Sequence, residues 1–197
     1  FGTGIFTNIT SDHMDYHKTF DHYLESKKIL FDMIPSSGKI IYNIDDNSSA
    51  KLIKDTSAQK YSFGISETAS CRIKNITYSL EGTNFDLSWK GKDYHLSTSL
   101  VGHFNAFNAA SAFETAVVSG IDYQIAIDGI KNTPQVPGRF EVISKKNKKV
   151  IVDYSHTSDS LKQALTAVHN IVKEERPIYT VFGCGGDRDR TKRPIMG

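Results

Sequence analysis

The chain has 197 residues, enough for roughly one large domain or one and a half of ordinary size. Its 24 Lys and Arg against 22 Asp and Glu leave a formal charge of +2, which provides no broad basic surface for nucleic acid. With 39% apolar and 23% charged residues the composition is that of an ordinary globular protein, and no apolar run is long enough to span a bilayer, so membrane insertion is not expected.

Cys71 and Cys184 have neither the density of a disulfide framework nor the paired spacing of a zinc site, which points to a reducing cytoplasm. The chain starts at Phe1, with no Met and no secretory pattern, and reads as a piece of something longer.

Strand and helix signals alternate, the pattern of an α/β layer structure. Residues 5–9 read as a strand ending in the polar cluster 10–15. Residues 20–34 read as a helix closed by Pro35 and Gly38. A second strand at 39–44, a helix from Asp46 and a third strand at 60–64 follow. Between Cys71 and Leu100 three alternating segments, broken at 81–84 and 90–93, predict an antiparallel meander. Helices return at 104–119 and 123–131, after which Pro134, Pro137 and Gly138 mark the best candidate domain boundary. Beyond it come strands at 140–144 and 150–153, a helix at 158–172 and a strand at 178–182.

The helix at 20–34 carries Phe20, Tyr23, Leu24, Lys27, Leu30, Phe31 and Ile34 on one stripe, with Lys27 in its middle. Burial disfavours an ammonium, which leaves two readings: a stem snorkelling to water, or a neutral amine able to react. The preceding loop gathers Asp12, His13, Asp15 and His17 at a strand end, where ligands of open α/β sheets collect. That cluster reads either as a metal or phosphate centre or as a polar loop with Asp12 capping a helix.

These residues resemble a family. Residues 6–17, FTNITSDHMDYH, followed by YLESK at 23–27, resemble the TN(L/I)xxDH(L/M)DYH…YExAK stretch of the Mur ligases, and the DYH form resembles the tripeptide-synthetase branch. GHFNAFN at 102–108 is similar to GxFNxxN, VPGRFE at 136–141 to VxGRxE, and VDYSHT at 152–157 to VDYAHTPD. The final stretch, VFGCGGDRDRTKRPIMG at 181–197, is similar to VFGCGGDRDxxKRPxMG. Ser155 and Ser158 stand where the family usually has Ala and Pro.

The resemblance implies the central ATPase domain of the family at 1–136, partial and containing the meander, and the start of a Rossmann-like C-terminal ligase domain at 137–197. It implies an ATP-dependent ligase that activates the carboxylate of UDP-N-acetylmuramoyl-dipeptide as an acyl phosphate and joins the third amino acid of the peptidoglycan peptide. ATP, magnesium and small-molecule substrates would be its partners, and a cytoplasmic monomer its expected form. Carried over by motif, Lys27 matches a lysine carbamylated by carbon dioxide and His13 a magnesium-binding histidine. Asn105 matches an asparagine near the nucleotide, Arg139 a hinge arginine that reaches ATP, Asp153 a ribose or nucleotide contact, and His156 a residue near the phosphates. Asp187 and Arg188 belong to a charge run of which part would face substrate.

Each has a structural rival. Asn105 and Asn108 could be helix-surface polars, Arg139 and Glu141 a surface ion pair, Asp153 a turn acceptor, and the run from Asp187 a solvated loop. No GxxxxGK[ST] phosphate loop occurs in the chain, and in the family that loop lies upstream of the residues matched here. Another Mur-type ligase, a folylpolyglutamate synthetase, or a non-catalytic module that kept the fold are the alternatives.

Overall fold

The computed structural model describes residues 1–10, 14–146, 148–173, 177–185 and 193–197. Parallel pairing builds its first half. Strand β1 (Thr3–Phe6) lies beside β2 (Lys39–Asn43), with Ile5 opposite Ile41, and β2 lies beside β3 (Gln59–Gly64). One-turn helix α1 (Met14–His17) and α2 (Phe20–Asp32) connect β1 to β2, and one-turn α3 (Ser49–Leu52) lies between β2 and β3. Thr19, in extended conformation, starts α2 by accepting the His22 N–H at 3.2 Å, and the helix stops before Pro35 as that residue requires. Leu24 and Phe31 of α2 are buried against the sheet, Phe31 meeting Phe6 edge to face with ring centroids 6.3 Å apart. Gly4 permits this approach: a Cβ there would lie 2.5 Å from the Ile34 side chain.

The meander follows as β4 (Cys71–Ser79), β5 (Gly82–Trp89) and β6 (Lys92–Thr98), antiparallel to one another and extending the same sheet in the order β1-β2-β3-β4-β5-β6. Helices α4 (His103–Val118) and α5 (Tyr123–Lys131) come next. Phe113 of α4 is fully buried in a cluster with Phe63, Phe85, Leu87 and Leu96, its ring perpendicular to that of Trp89. Thr83 ties β5 to the start of α4: its buried hydroxyl donates to Leu100 O at 2.7 Å and accepts the Gly102 N–H at 3.0 Å. Thr83→Val keeps the shape and strands both backbone groups, so it should lower unfolding stability by about 1–2 kcal/mol in urea titrations. A loss within error would show that the backbone groups find other partners.

The last third forms a separate two-stranded sheet, β7 (Glu141–Lys145) antiparallel to β8 (Lys148–Val152), followed by α6 (Ser158–Val172) and one-turn α7 (Arg193–Met196). Thr157 and Ser160 close a reciprocal capping box at the start of α6. Phe140, 2% exposed and at φ +48°, joins Val101 and Ala167 in a core that fastens this part to the rest, its ring 5.6 Å from that of Phe104.

The expected α/β architecture with an antiparallel meander is present, and three element readings are corrected. The strand expected at 5–9 ends at Phe6, because side chains from the end of β2 take over the backbone beyond it: Asn43 Nδ2 donates to Thr7 O at 2.9 Å and Asp46 accepts the Ile9 N–H at 3.1 Å. The helix expected from Asp46 is only the single turn 49–52, since Asp46 spends its carboxylate on the Ile9 and Ser48 N–H groups. Residues 178–182 form no ladder with the described strands, and Tyr179 and Val181 are 88% and 99% exposed. Alternation alone does not make a strand; a neighbour must supply the hydrogen bonds.

Candidate active site

A cavity of about 530 Å³ opens where the chain leaves β1. Residues 5–10 form one wall, Tyr23, Ser26, Lys27 and Leu30 of α2 a second, and Thr157, the capping residue of α6, closes it from the last third of the chain. The carboxyl end of a parallel strand is where open α/β sheets hold ligands. Asn43 and Asp46 hold residues 7–9 in place, a role for the Asn43-Ile44-Asp45-Asp46 cluster that sequence reasoning missed and that its amide and carboxylates at a strand end could have signalled.

Lys27 lies in this cavity wall but is not buried, which corrects the stripe argument. Its ammonium stands 5.2 Å from the Tyr23 ring centroid. The buried lysine of α2 is its neighbour Lys28, 9% exposed, which pairs with Asp32 at 2.5 Å and with Asp55 at 3.5 Å. The hydrogen bond to Asp32, ahead of the Asp55 charge, raises the Lys28 pKa and keeps it an ammonium.

Asn105 turns inward. Its buried amide donates to Val101 O at 2.9 Å, and its Oδ1 accepts from Asn108 Nδ2 at 3.1 Å, so it secures the first turn of α4 while Asn108 is exposed. Beside it, burial among the Tyr78, Phe104 and Phe107 rings pushes the His103 pKa down.

The segment from Gly138 to His156 gathers three further expected residues. Arg139 is exposed, its guanidinium carbon 4.7 Å from the Tyr154 ring centroid. The surface pair with Glu141 is not what forms; Glu141 accepts the Gly138 N–H at 2.9 Å instead. Asp153 Oδ2 accepts the Phe140 N–H at 2.8 Å and Oδ1 accepts the Ser155 N–H at 2.9 Å, so the carboxylate ties the start of β7 to the segment after β8. His156 donates through Nδ1 to Tyr154 O at 3.1 Å, with its ring 5.1 Å from the tyrosine's. Phe104 on Phe140 brings the start of α4 next to this segment.

His13, Asp187 and Arg188 lie outside the described residues. Among the described residues no three His, Cys, Asp or Glu side chains come together as a metal cage. Two cationic groups of the kind that pair with phosphate are exposed here, the Lys27 ammonium in the cavity wall and the Arg139 guanidinium beside Tyr154.

The chain matches the model of the Mur ligase middle domain over residues 1–116 and that of the Mur ligase glutamate ligase domain over 138–197. It is 39% identical over 200 residues to UDP-N-acetylmuramoyl-L-alanyl-D-glutamate–2,6-diaminopimelate ligase 1 of Clostridium acetobutylicum, and 40% identical over 201 residues to the corresponding ligase of Alkaliphilus metalliredigens. Both alignments cover 100% of this chain and 40% of the relative, so the chain spans about two fifths of the length of these curated relatives. A solved structure of a ligase of the same name superposes with TM-score 0.70 at 33% identity, covering 98% of this chain and 40% of that one. Folylpolyglutamate synthetase from Lactobacillus casei shares the fold, with TM-score 0.70 at 18% identity over 90% of this chain and 44% of its own. With both domain models matched in order along nearly its whole length, the chain belongs to the Mur ligase family.

Proposed function

We propose that this chain carries the ATPase and ligase modules of a cytoplasmic enzyme that adds the third amino acid to UDP-N-acetylmuramoyl-dipeptide in peptidoglycan synthesis. The observation that carries the reading is the cavity that Lys27 of α2 and Thr157 of α6 line together, because it joins a residue of the middle domain to one of the C-terminal domain around one space. The relatives described above are named as 2,6-diaminopimelate ligases, which supports diaminopimelate as the added residue.

In this reading ATP phosphorylates the dipeptide carboxylate, and the amine of the incoming amino acid displaces phosphate from the acyl phosphate. Such a reaction asks the protein for position and for positive charge around the transferring group. Arg139 supplies a planar fork of donors and His156 lies two residues beyond its stacking partner Tyr154. Asp153 holds the backbone that aims them, with Asn105 fixing the adjacent helix start. Magnesium, when bound, would neutralise phosphate charge, with His13 and a carbamylated Lys27 as its proposed holders. The boundary near Pro137 is the proposed hinge, and Asp187 and Arg188 the proposed substrate contacts.

The test is ADP release by the full-length ligase. It should require the UDP-muramoyl-dipeptide and diaminopimelate together, with lysine as the competing amino acid; release needing neither would overturn the reading. In the same assay Arg139→Ala should lower kcat/KM for ATP by roughly tenfold, the loss of a charge-assisted contact, with an unchanged circular dichroism spectrum. Unaltered ATP use would return Arg139 to the surface.

A further inference from the structure

Phe140 sits in the left-handed region at φ +48°, a conformation uncommon for a bulky residue, and it is 2% exposed. Its side chain goes into the core while Arg139, one residue earlier, stays outside. Across the hairpin Glu141 pairs with Val152, and Asp153 Oδ2 holds the Phe140 N–H, so residues 139 and 154 face each other just past the end of the ladder. Tyr154 is 62% exposed and its ring serves two neighbours, with Arg139 Cζ at 4.7 Å and the His156 ring at 5.1 Å, inclined by 64°. Arginine is a long side chain with much rotamer freedom to lose when it meets a phosphate. A ring already holding the guanidinium removes part of that loss beforehand.

We propose that Tyr154 is a positioning residue that holds Arg139, through the face of its ring, in the orientation from which it engages ATP. The inference rests on the reading of Arg139 as the ATP-facing cation. The phenol hydroxyl has no part in it, so only an aromatic ring at position 154 meets the requirement.

The experiment is steady-state kinetics of the full-length ligase with ATP varied. Tyr154→Phe should match wild type. Tyr154→Leu, and Tyr154→Gln as a second non-aromatic variant, should raise KM for ATP roughly two- to fivefold with kcat little changed, the worth of an exposed cation–π pair. In an Arg139→Ala background Tyr154→Leu should add nothing. A Tyr154→Phe variant as impaired as Tyr154→Leu, or additive losses in the double variant, would overturn the proposal. An impaired Arg139→Ala beside unaffected Tyr154→Leu and Tyr154→Gln defeats the inference alone, whereas a wild-type KM in Arg139→Ala defeats the reading of Arg139 and the inference together.

Discussion

Lys27→Ala in the full-length ligase is expected to cut amide-bond formation by roughly 100-fold or more, beyond what losing a supporting group around a metal costs. Lys27 presents its ammonium to a cavity wall it shares with Ser26 and Leu30 of its own helix and with residues 5–10. A plain ammonium has only donors and repels a cation; a carbamate on the same nitrogen is an anionic oxygen ligand. The exposed position gives carbon dioxide access to the amine, while it removes the burial that would have favoured the neutral, reactive form. Lys27→Arg should fail as well, since guanidinium keeps its charge and cannot take up carbon dioxide. A small carboxylate added to Lys27→Ala should restore part of the rate, and labelled bicarbonate should give a carbamate carbon resonance in wild type and not in Lys27→Ala. An active Lys27→Arg enzyme would make the lysine an ordinary cation beside Tyr23, as in the snorkelling reading.

What was legible in the sequence followed from local rules. The start of α2 at Phe20 and its stop before Pro35, the three strands of the meander, and α4, α5 and α6 all follow from periodicity and end signals within a few residues, whereas the caps at Thr19 and Thr157 do not. What was not legible depends on partners far along the chain. Lys27 and Lys28 are one helix step apart, and periodicity put Lys27 in the apolar stripe. Lys28 is the one that becomes buried, because Asp55, beyond α3, joins Asp32 in compensating its charge. Asn105 was legible as a motif residue, but not that Val101 O and Asn108 would occupy its amide. For Asp153 the turn-acceptor reading foresaw the local bond from the Ser155 N–H, but not the one from the Phe140 N–H 13 residues away. The motifs thus located the neighbourhood of the site, and tertiary contacts decided which atoms remain available there.

Glu114 shows how far such contacts can change a side chain. It lies in the middle of α4 among residues that read as ordinary helix, yet it is fully buried against β3 and β4, with Oε2 lacking a hydrogen-bond partner among the described residues and Oε1 3.1 Å from Ser70 Oγ. Ser70 Oγ also lies 2.7 Å from Ser62 O, which can only accept, so the single hydroxyl proton is committed there. The contact with Glu114 is then best made by a carboxylic acid that donates to Ser70. Burial accordingly pushes the Glu114 pKa up from 4.5 to about 7, against smaller opposing effects of Ser70, Cys71 and Lys90. Burial and the neighbouring Glu114 charge push the Cys71 thiol up too, so it stays protonated.

A carboxyl whose folded pKa is raised gives full stability below its unfolded value and loses it as pH rises towards the folded value. The window here runs from about 4.5 to about 7. At roughly 1.4 kcal/mol per pH unit the loss amounts to about 3 kcal/mol. Glu114→Gln replaces the acid by an amide that donates to Ser70 at every pH. Its urea midpoint should equal that of wild type near pH 4 and exceed it by an increasing margin up to pH 7–8, where the gap levels off. A gap that stays constant across this range would mean that Glu114 is ionised in the folded core throughout, with its charge compensated by Lys90 and the Ser70 hydroxyl rather than by a proton.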